Sequence, residues 1–515
     1  MTLQALRGEL IWGLLLLPMA AGGLCYFVRP NIPRRALLLL AALAHTALTL
    51  WAWSGPVPPT AHGWIAIDAA SLLFLSVTSV LFLAAAAYAV GYLAQEERLR
   101  QSAPAEPDLD EEPPFTNFPE ATFTGCLLAF LGTMSLVAVS RHLGLMWVAV
   151  EATTLASAPL IYFHRNSRSL EATWKYLVIC SVGIALALLG NFFLAVAARS
   201  YSGTPIPLTL EDLSAAAASL EPRWLKAAFL LLLVGYGTKM GLAPLHTWLP
   251  DAHSEAPSVV SALLSGALLN CAFLTILRVH GLLVAAGLGA FSHELLALFG
   301  LISMTVAAVF LIGQADYKRM LAYSSIEHMG ILALGVGIGG LAGFGAMLHT
   351  VNHSLTKAML FFAAGNILAA YHTKSTNQAQ GVLRTLPVTG VLWMAGFLAI
   401  TGSPPFGPFL SEFTILKGAI DGHHPWIATA YLAALAVAFV GMASVCINMA
   451  YGTPGPADKT SLPSGAGSPA VRLTEPLWSI APPLVLGLAV LILGIYVPPA
   501  LTDLLHRTAA ILGVQ

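Results

Sequence analysis

The sequence predicts an all-α polytopic membrane protein of about fourteen transmembrane helices, with two inverted five-helix repeats and two broken helices. Three observations predict it. Hydrophobic residues make up 57% of the 515 positions and charged residues only 10%, against about 25% charged in a soluble domain. The mean hydropathy is +0.77. Apolar runs of the ~20 residues that a helix needs to cross a bilayer recur along the whole chain. The net charge of −1 argues against nucleic acid as a partner. No long soluble stretch is left in which a redox cofactor would sit. The five cysteines, Cys25, Cys126, Cys180, Cys271 and Cys446, fall in apolar segments without a C-x-x-C pair. No iron–sulfur, zinc or nickel site is therefore expected, and no cofactor in this chain.

Three spans are expected near 10–28, 35–54 and 69–93, the first retained rather than cleaved as a signal. An acidic, proline-rich loop at 94–119 follows, read as flexible. Residues 1–120 form an N-terminal unit. Spans near 121–139, 143–163, 170–198, 224–247 and 257–278 make a first repeat, 121–280. A polar stretch at 200–222 with a short amphipathic run is expected at the surface. Spans near 291–312, 320–337, 341–370, 386–419 and 425–451 make a second repeat, 281–451. A Gly/Pro/Ser linker at 452–470 precedes the last span, near 475–497, within a C-terminal unit 452–515. Thirteen Lys and Arg residues fall in loops after odd-numbered spans and seven on the other side. The positive-inside rule then puts both termini outside the cytoplasm.

Spans seven and twelve are interrupted in corresponding places, at Gly241–Pro244 and at Gly402–Pro408. Exposed backbone cannot be satisfied by lipid, so each break must line protein or a polar cavity. Lys239 precedes the first break and Glu412 follows the second. An ionisable group beside a discontinuous helix marks an ion-translocation site. An ordinary helix end with a snorkelling lysine is the alternative for Lys239.

Glu151 lies in the middle of span five, and Lys239 is its candidate partner; the alternative is a static buried salt bridge. His349, His353 and Lys357 follow at i, i+4 and i+8 in span eleven, on one helix face. Imidazoles titrate near neutral pH and pass protons between their two nitrogens, which suits a relay. Satisfied core polar groups, or a metal bound by H-x-x-x-H for which no third protein ligand is evident, are the other readings. His328, with Glu327 beside it, extends the relay or caps span ten. Lys175 is a possible relay group or a snorkelling side chain. Lys417 reads equally as snorkelling. Asp251, His253 and Glu255 read as loop or cap residues after span seven.

The motifs Gly-Thr-Lys-Met-Gly-Leu-Ala-Pro-Leu-His-Thr-Trp-Leu-Pro-Asp-Ala-His at 237–253, Asp-Tyr-Lys-Arg-Met-Leu-Ala-Tyr-Ser-Ser-Ile-Glu-His-Met-Gly at 316–330 and the His349/His353/Lys357 row resemble the antiporter-like proton-conducting membrane subunits of complex I, Mrp antiporters and membrane-bound [NiFe] hydrogenases. Ser-Ser-Ile-Glu-His-Met-Gly and Leu-Leu-Asn-Cys look most like component F of hydrogenase-4-type complexes. The resemblance implies fourteen helices and a gating pair at Glu151 and Lys239. It implies a relay through His349, His353 and Lys357, and a terminal group at Glu412. It also implies other membrane subunits and a soluble redox arm, with NiFe hydrogenase and iron–sulfur subunits, as partners in a cell inner membrane. A complex I subunit of the M type and a non-conducting membrane anchor are the competing functions. One departure is Asn270 in span eight, where some relatives carry a lysine or histidine; an amide cannot carry a proton as a charge.

Overall fold

The computed structural model describes residues 3–102, 117–199, 206–453 and 473–514. Among them every expected span is helical. The helices are α1 (Leu3–Cys25), α2 (Asn31–Ala52), α3 (Ala69–Ser102), α4 (Glu120–Val139), α5 (Leu143–Ile161), α6 (Ser167–Ala197), the short α7 (Leu210–Ala215), α8 (Pro222–Met240), α9 (Trp248–Glu255) and α10 (Ser258–Ala285). Then come α11 (Gly289–Leu311), α12 (Tyr317–Ile338), α13 (Gly340–Tyr371), α14 (Pro387–Ile400), α15 (Gly407–Asp421), α16 (Pro425–Tyr451), α17 (Leu477–Ile495) and α18 (Pro499–Ile511). Among the described residues, eleven helices are long and apolar enough to cross a membrane. The other three expected crossings are α1, α8 and the divided pair α14 and α15. The α8 segment carries Arg223, Lys226 and Lys239 within its 19 residues, and this is what lowers its apolar character.

Both breaks are present. Gly241 ends α8 in the left-handed region at φ 84°, and its amide bonds back to Thr238. The chain turns through Pro244 and re-enters helix at Trp248, whose indole Nε1 donates to the Thr238 carbonyl at 2.8 Å. That bond gives the Thr238 carbonyl a second donor at the break, beside the Gly241 amide. In the second break, Gly402 has φ 64°, and residues 401–406 separate α14 from α15.

Three expectations need correction. Residues 94–102 continue α3 rather than opening a loop: Gln95-Glu-Glu-Arg-Leu-Arg are good helix formers, and Glu97 pairs with Arg35 at 2.7 Å. The rest of the acidic loop, 103–116, lies outside the described residues, as does most of the linker, 454–472. Asp251, His253 and Glu255 sit on α9, not in a loop. A further helix, α18, follows the last expected span and packs against α3 and α13. The expected surface run is α7, with Leu210 and Leu213 buried and Glu211 and Asp212 exposed.

Close helix approaches hold the breaks in place. In the first half α6 packs along α8, where a Cβ on Gly235 would stand 2.6 Å from the Gly183 carbonyl. In the second half α13 packs along α15, where a Cβ on Gly418 would meet the Ala342 nitrogen at 2.4 Å. Between the halves lies α10, fully buried and packed against both α8 and α13. A single π turn interrupts it at Leu264–Leu268.

Candidate functional site: two buried charge clusters at the helix breaks

The first cluster forms at the C-terminal end of α8. Lys239 lies in its last turn, where the partial negative charge of unsatisfied carbonyls favours a cation. The side chain is 0% exposed. Its Nζ donates to Thr154 Oγ1 on α5 at 2.8 Å and to Tyr176 OH on α6 at 2.6 Å. It also sits 4.4 Å from the Tyr176 ring centroid, a cation–π contact. Thr154 Oγ1 in turn donates to Glu151 Oε2 at 3.3 Å. Glu151 and Lys239 therefore communicate through a hydroxyl. Among the described residues the ion pairs within 4.0 Å do not include a direct contact between them. Tyr176 OH continues the chain to Ser157 Oγ at 2.6 Å.

The second cluster gathers α12, α13 and α15. His349, His353 and Lys357 are each 0% exposed, on one face of α13. His328 comes from α12 and lies within the same group. Its Nδ1 is 2.8 Å from His349 Nε2, and His349 Nδ1 is 2.9 Å from Ser411 Oγ on α15. The His353 ring centroid lies 5.1 Å from that of His328. Glu412 is 5% exposed, and its Oε1 stands 4.0 Å from His328 Nδ1. The carboxylate is folded back onto the second break, where a Cβ on Gly402 would lie 2.1 Å from Glu412 Oε2. Four of the expected residues thus meet in one place. Lys357 lies further along α13, where Nζ donates to the Leu321 carbonyl at 2.9 Å.

Hydroxyl and amide links run from this cluster to α10. Ser325 Oγ bonds the same Leu321 carbonyl at 3.0 Å and pairs with Ser265 Oγ, in the π turn, at 2.8 Å. Asn270 Nδ2 donates to Ser354 Oγ at 2.7 Å, between His353 and Lys357. Asn270 is therefore a bridge to the histidine helix, and its buried Oδ1 has no protein donor among the described residues.

Lys175 is not brought into either cluster. Its side chain is 45% exposed and pairs with Glu171 and with Asp251, at 2.7 and 2.8 Å. Lys417 pairs with Asp421 on the exposed face of α15. Sequence reasoning missed Thr154, Tyr176 and Ser411, and it read His253 as a loop or cap residue. Tyr176 lies on the buried face of α6 with Thr173, Cys180 and Gly183. His253 is buried on α9, stacked on Phe361 with centroids 5.1 Å apart.

A neutral imidazole donates through one nitrogen and accepts through the other. The Ser411–His349–His328 chain can thus take a proton at one end and release one at the other. His328, His349 and His353 also offer metal-ligating nitrogens within 4.8 Å of one another.

A broken-helix membrane fold with a buried lysine at one break and a histidine–carboxylate cluster at the other defines a class of ion-translocating subunit. The chain belongs to the NADH:quinone oxidoreductase/Mrp antiporter transmembrane family, which matches residues 140–437. It is 35% identical over 448 residues to a hydrogenase-4 component F homolog of Methylacidiphilum infernorum, covering 87% of this chain and 88% of that one. It is 29% identical to NADH-quinone oxidoreductase subunit N of Desulforudis audaxviator, covering 72% of this chain and 73% of that one. Its fold matches a chain of the archaeal membrane-bound sulfane sulfur reductase with a TM-score of 0.82 at 20% identity, over 98% of this chain and 97% of the other. A chain of Thermus thermophilus respiratory complex I matches with a TM-score of 0.71 at 25% identity, over 94% and 97%.

Proposed function

We propose that the chain is the proton-translocating membrane subunit of a hydrogenase-4-type redox complex. The observation that carries this reading is the pair of buried clusters, each at a helix break, with α10 between them, hydrogen-bonded through Ser265 and Asn270 to the second cluster's helices. Glu151, Thr154, Lys239 and Tyr176 form the first station. Lys357, His353, His349, His328 and Glu412 form the second. Two unit charges 4 Å apart interact by about 4 kcal/mol at an effective dielectric of 20, about a thousandfold in proton affinity. A proton arriving at Glu151 would weaken the hold on the Lys239 charge by a share of that amount. The histidine row favours protons over sodium.

Likeness to hydrogenase-4 component F supports other membrane subunits and a soluble arm bearing NiFe and iron–sulfur centres as partners. The positive-charge bias supports termini outside the cytoplasm of a cell inner membrane. Likeness to subunit N supports the second reading, a complex I type subunit with the same residue roles. The neutral Asn270 on α10 supports the third, a non-conducting anchor. Purification of the tagged chain in mild detergent with mass spectrometry of its companions separates the first two: hydrogenase subunits support the first, NADH- and quinone-module subunits the second. Proton movement in sealed vesicles that is lost in Lys239→Ala supports conduction, and redox activity without proton movement supports the anchor.

A further inference from the structure

We propose that His328, His349 and His353, with Glu412 as the fourth donor, form a binding site for a divalent transition-metal ion of the Zn²⁺ type. The span-eleven pair His349-x-x-x-His353 lacks only a third ligand, and the fold supplies it from a different helix. Each of the three histidines is at most 1% exposed, and one ligating nitrogen from each lies within 4.8 Å of the other two. Tetrahedral zinc with nitrogen ligands at 2.0–2.1 Å needs nitrogens about 3.3 Å apart. The His328–His349 contact of 2.8 Å would open by about half an ångström, and the others would close by a side-chain rotation.

His349 is already bonded, through Nε2 to His328 Nδ1 and through Nδ1 to Ser411, so the ion would replace the His328–His349 contact. Both nitrogens of His353, Nε2 of His328 and Oε1 of Glu412 are buried without a hydrogen-bond partner among the described residues. Unpartnered buried nitrogens are uncommon in a packed core. Here two of the three histidines carry them, and a carboxylate oxygen lies 4.0 Å from His328 Nδ1. Neutral imidazoles and one carboxylate suit a borderline divalent ion, and the carboxylate offsets half its charge. Access is at the second break, where Glu412 Oε2 lies against Gly402 and the adjoining Pro404 and Pro405 are exposed. An ion held here would tie α12, α13 and α15 together and occupy lone pairs that proton transfer uses. That consequence rests on the proposed function; the binding itself does not.

The test uses the full chain, purified in detergent, titrated with Co²⁺ and then Zn²⁺. Four-coordinate Co²⁺ has intense visible bands that the hexa-aquo ion lacks. The expected result is one four-coordinate Co²⁺ per chain, displaced by Zn²⁺, with zinc X-ray absorption showing three nitrogen ligands and one oxygen. His353→Gln, which removes a side chain with no hydrogen bond to lose, should weaken binding by at least about 100-fold. His349→Gln should do the same, and His424→Gln, on the exposed surface, should change nothing. Octahedral Co²⁺ only, or four-coordinate binding that survives in either cluster variant, overturns the proposal. The absorption spectrum of the unsubstituted chain decides the matter even if a variant does not fold.

Discussion

Lys239 is held by two hydroxyls, and the two make separable predictions. Tyr176→Phe removes the acceptor 2.6 Å from Nζ while keeping the ring beneath it. Losing one hydrogen bond to a buried charge costs about 1.5–3 kcal/mol, about 10- to 150-fold. Proton translocation measured in vesicles should fall within that range for Tyr176→Phe. Thr154→Val breaks the bridge to Glu151 and should fall comparably, whereas Thr154→Ser keeps the hydroxyl and should recover most of the rate. The charged members of the site were legible because Glu151, Lys239 and the histidine row stand out in an apolar background. Thr154, Tyr176 and Ser411 were not. Hydroxyls in membrane helices commonly bond their own i−4 carbonyl, as Thr238 on α8 and Thr350 on α13 illustrate. Composition cannot separate those from the few that reach across to another helix. The hydroxyl between Glu151 and Lys239 turns an expected ion pair into a bridged one.

At the scale of elements, the breaks decide where the charges lie. Gly402→Ala would place a methyl at φ 64° and drive it into Glu412 Oε2. The left-handed conformation alone costs about 1 kcal/mol for a non-glycine residue, and the displaced carboxylate adds to it. Thermal unfolding of the purified chain should shift downward, and Glu412-dependent proton movement should fall with it. The latch at α9 behaves differently. Asp251 joins Lys175 from α6 to Arg319 from α12, at 2.8 and 2.7 Å, but both cations are more than two-fifths exposed. Exposed pairs contribute about 0.2–1 kcal/mol. Asp251→Asn should therefore lower the unfolding midpoint only slightly. Both breaks were legible as Gly/Pro clusters inside apolar runs. α9 was not, because Pro250 and the acidic residues around it read as loop. Its Trp248, Leu249 and Ala252 are nonetheless fully buried, and that face fixes it as helix. The π turn in α10 has no marker in Leu264-Ser-Gly-Ala-Leu268 beyond the small residues at its centre.

Across the whole molecule, the polytopic all-α class followed from hydropathy alone, because only closed backbone hydrogen bonding survives in lipid. What hydropathy could not give is which helices meet. Asp68, before α3, joins Arg141 at the start of α5 to Arg278 in α10, at 2.8 and 3.0 Å. Burial pushes the Asp68 carboxyl up, but Arg278 and then Arg141 outweigh it and hold it below the usual carboxylate range. A folded-state pKa below the unfolded value of about 3.9 means that the stabilisation is present above that value and is lost as pH falls through the folded one. The tie is thus intact at neutral pH. Asp68→Asn leaves two guanidinium groups without their anion, one of them in Arg278 at 4% exposure. Removing one partner of a buried pair costs about 3–5 kcal/mol, so this variant should show a larger loss of thermal stability at neutral pH than Asp251→Asn.

On the proposed function, protons pass through Glu151 and Lys239 and on to the histidine cluster, and the neighbouring Lys175 takes no part. The most direct measurement drives the redox complex in sealed vesicles and records proton movement for Lys239→Ala, Glu151→Gln and Lys175→Ala, with the complex's assembly checked in each. The first two should lose proton movement while Lys175→Ala keeps it. Proton movement unchanged in Lys239→Ala, or lost in Lys175→Ala with the complex intact, would contradict the proposed function.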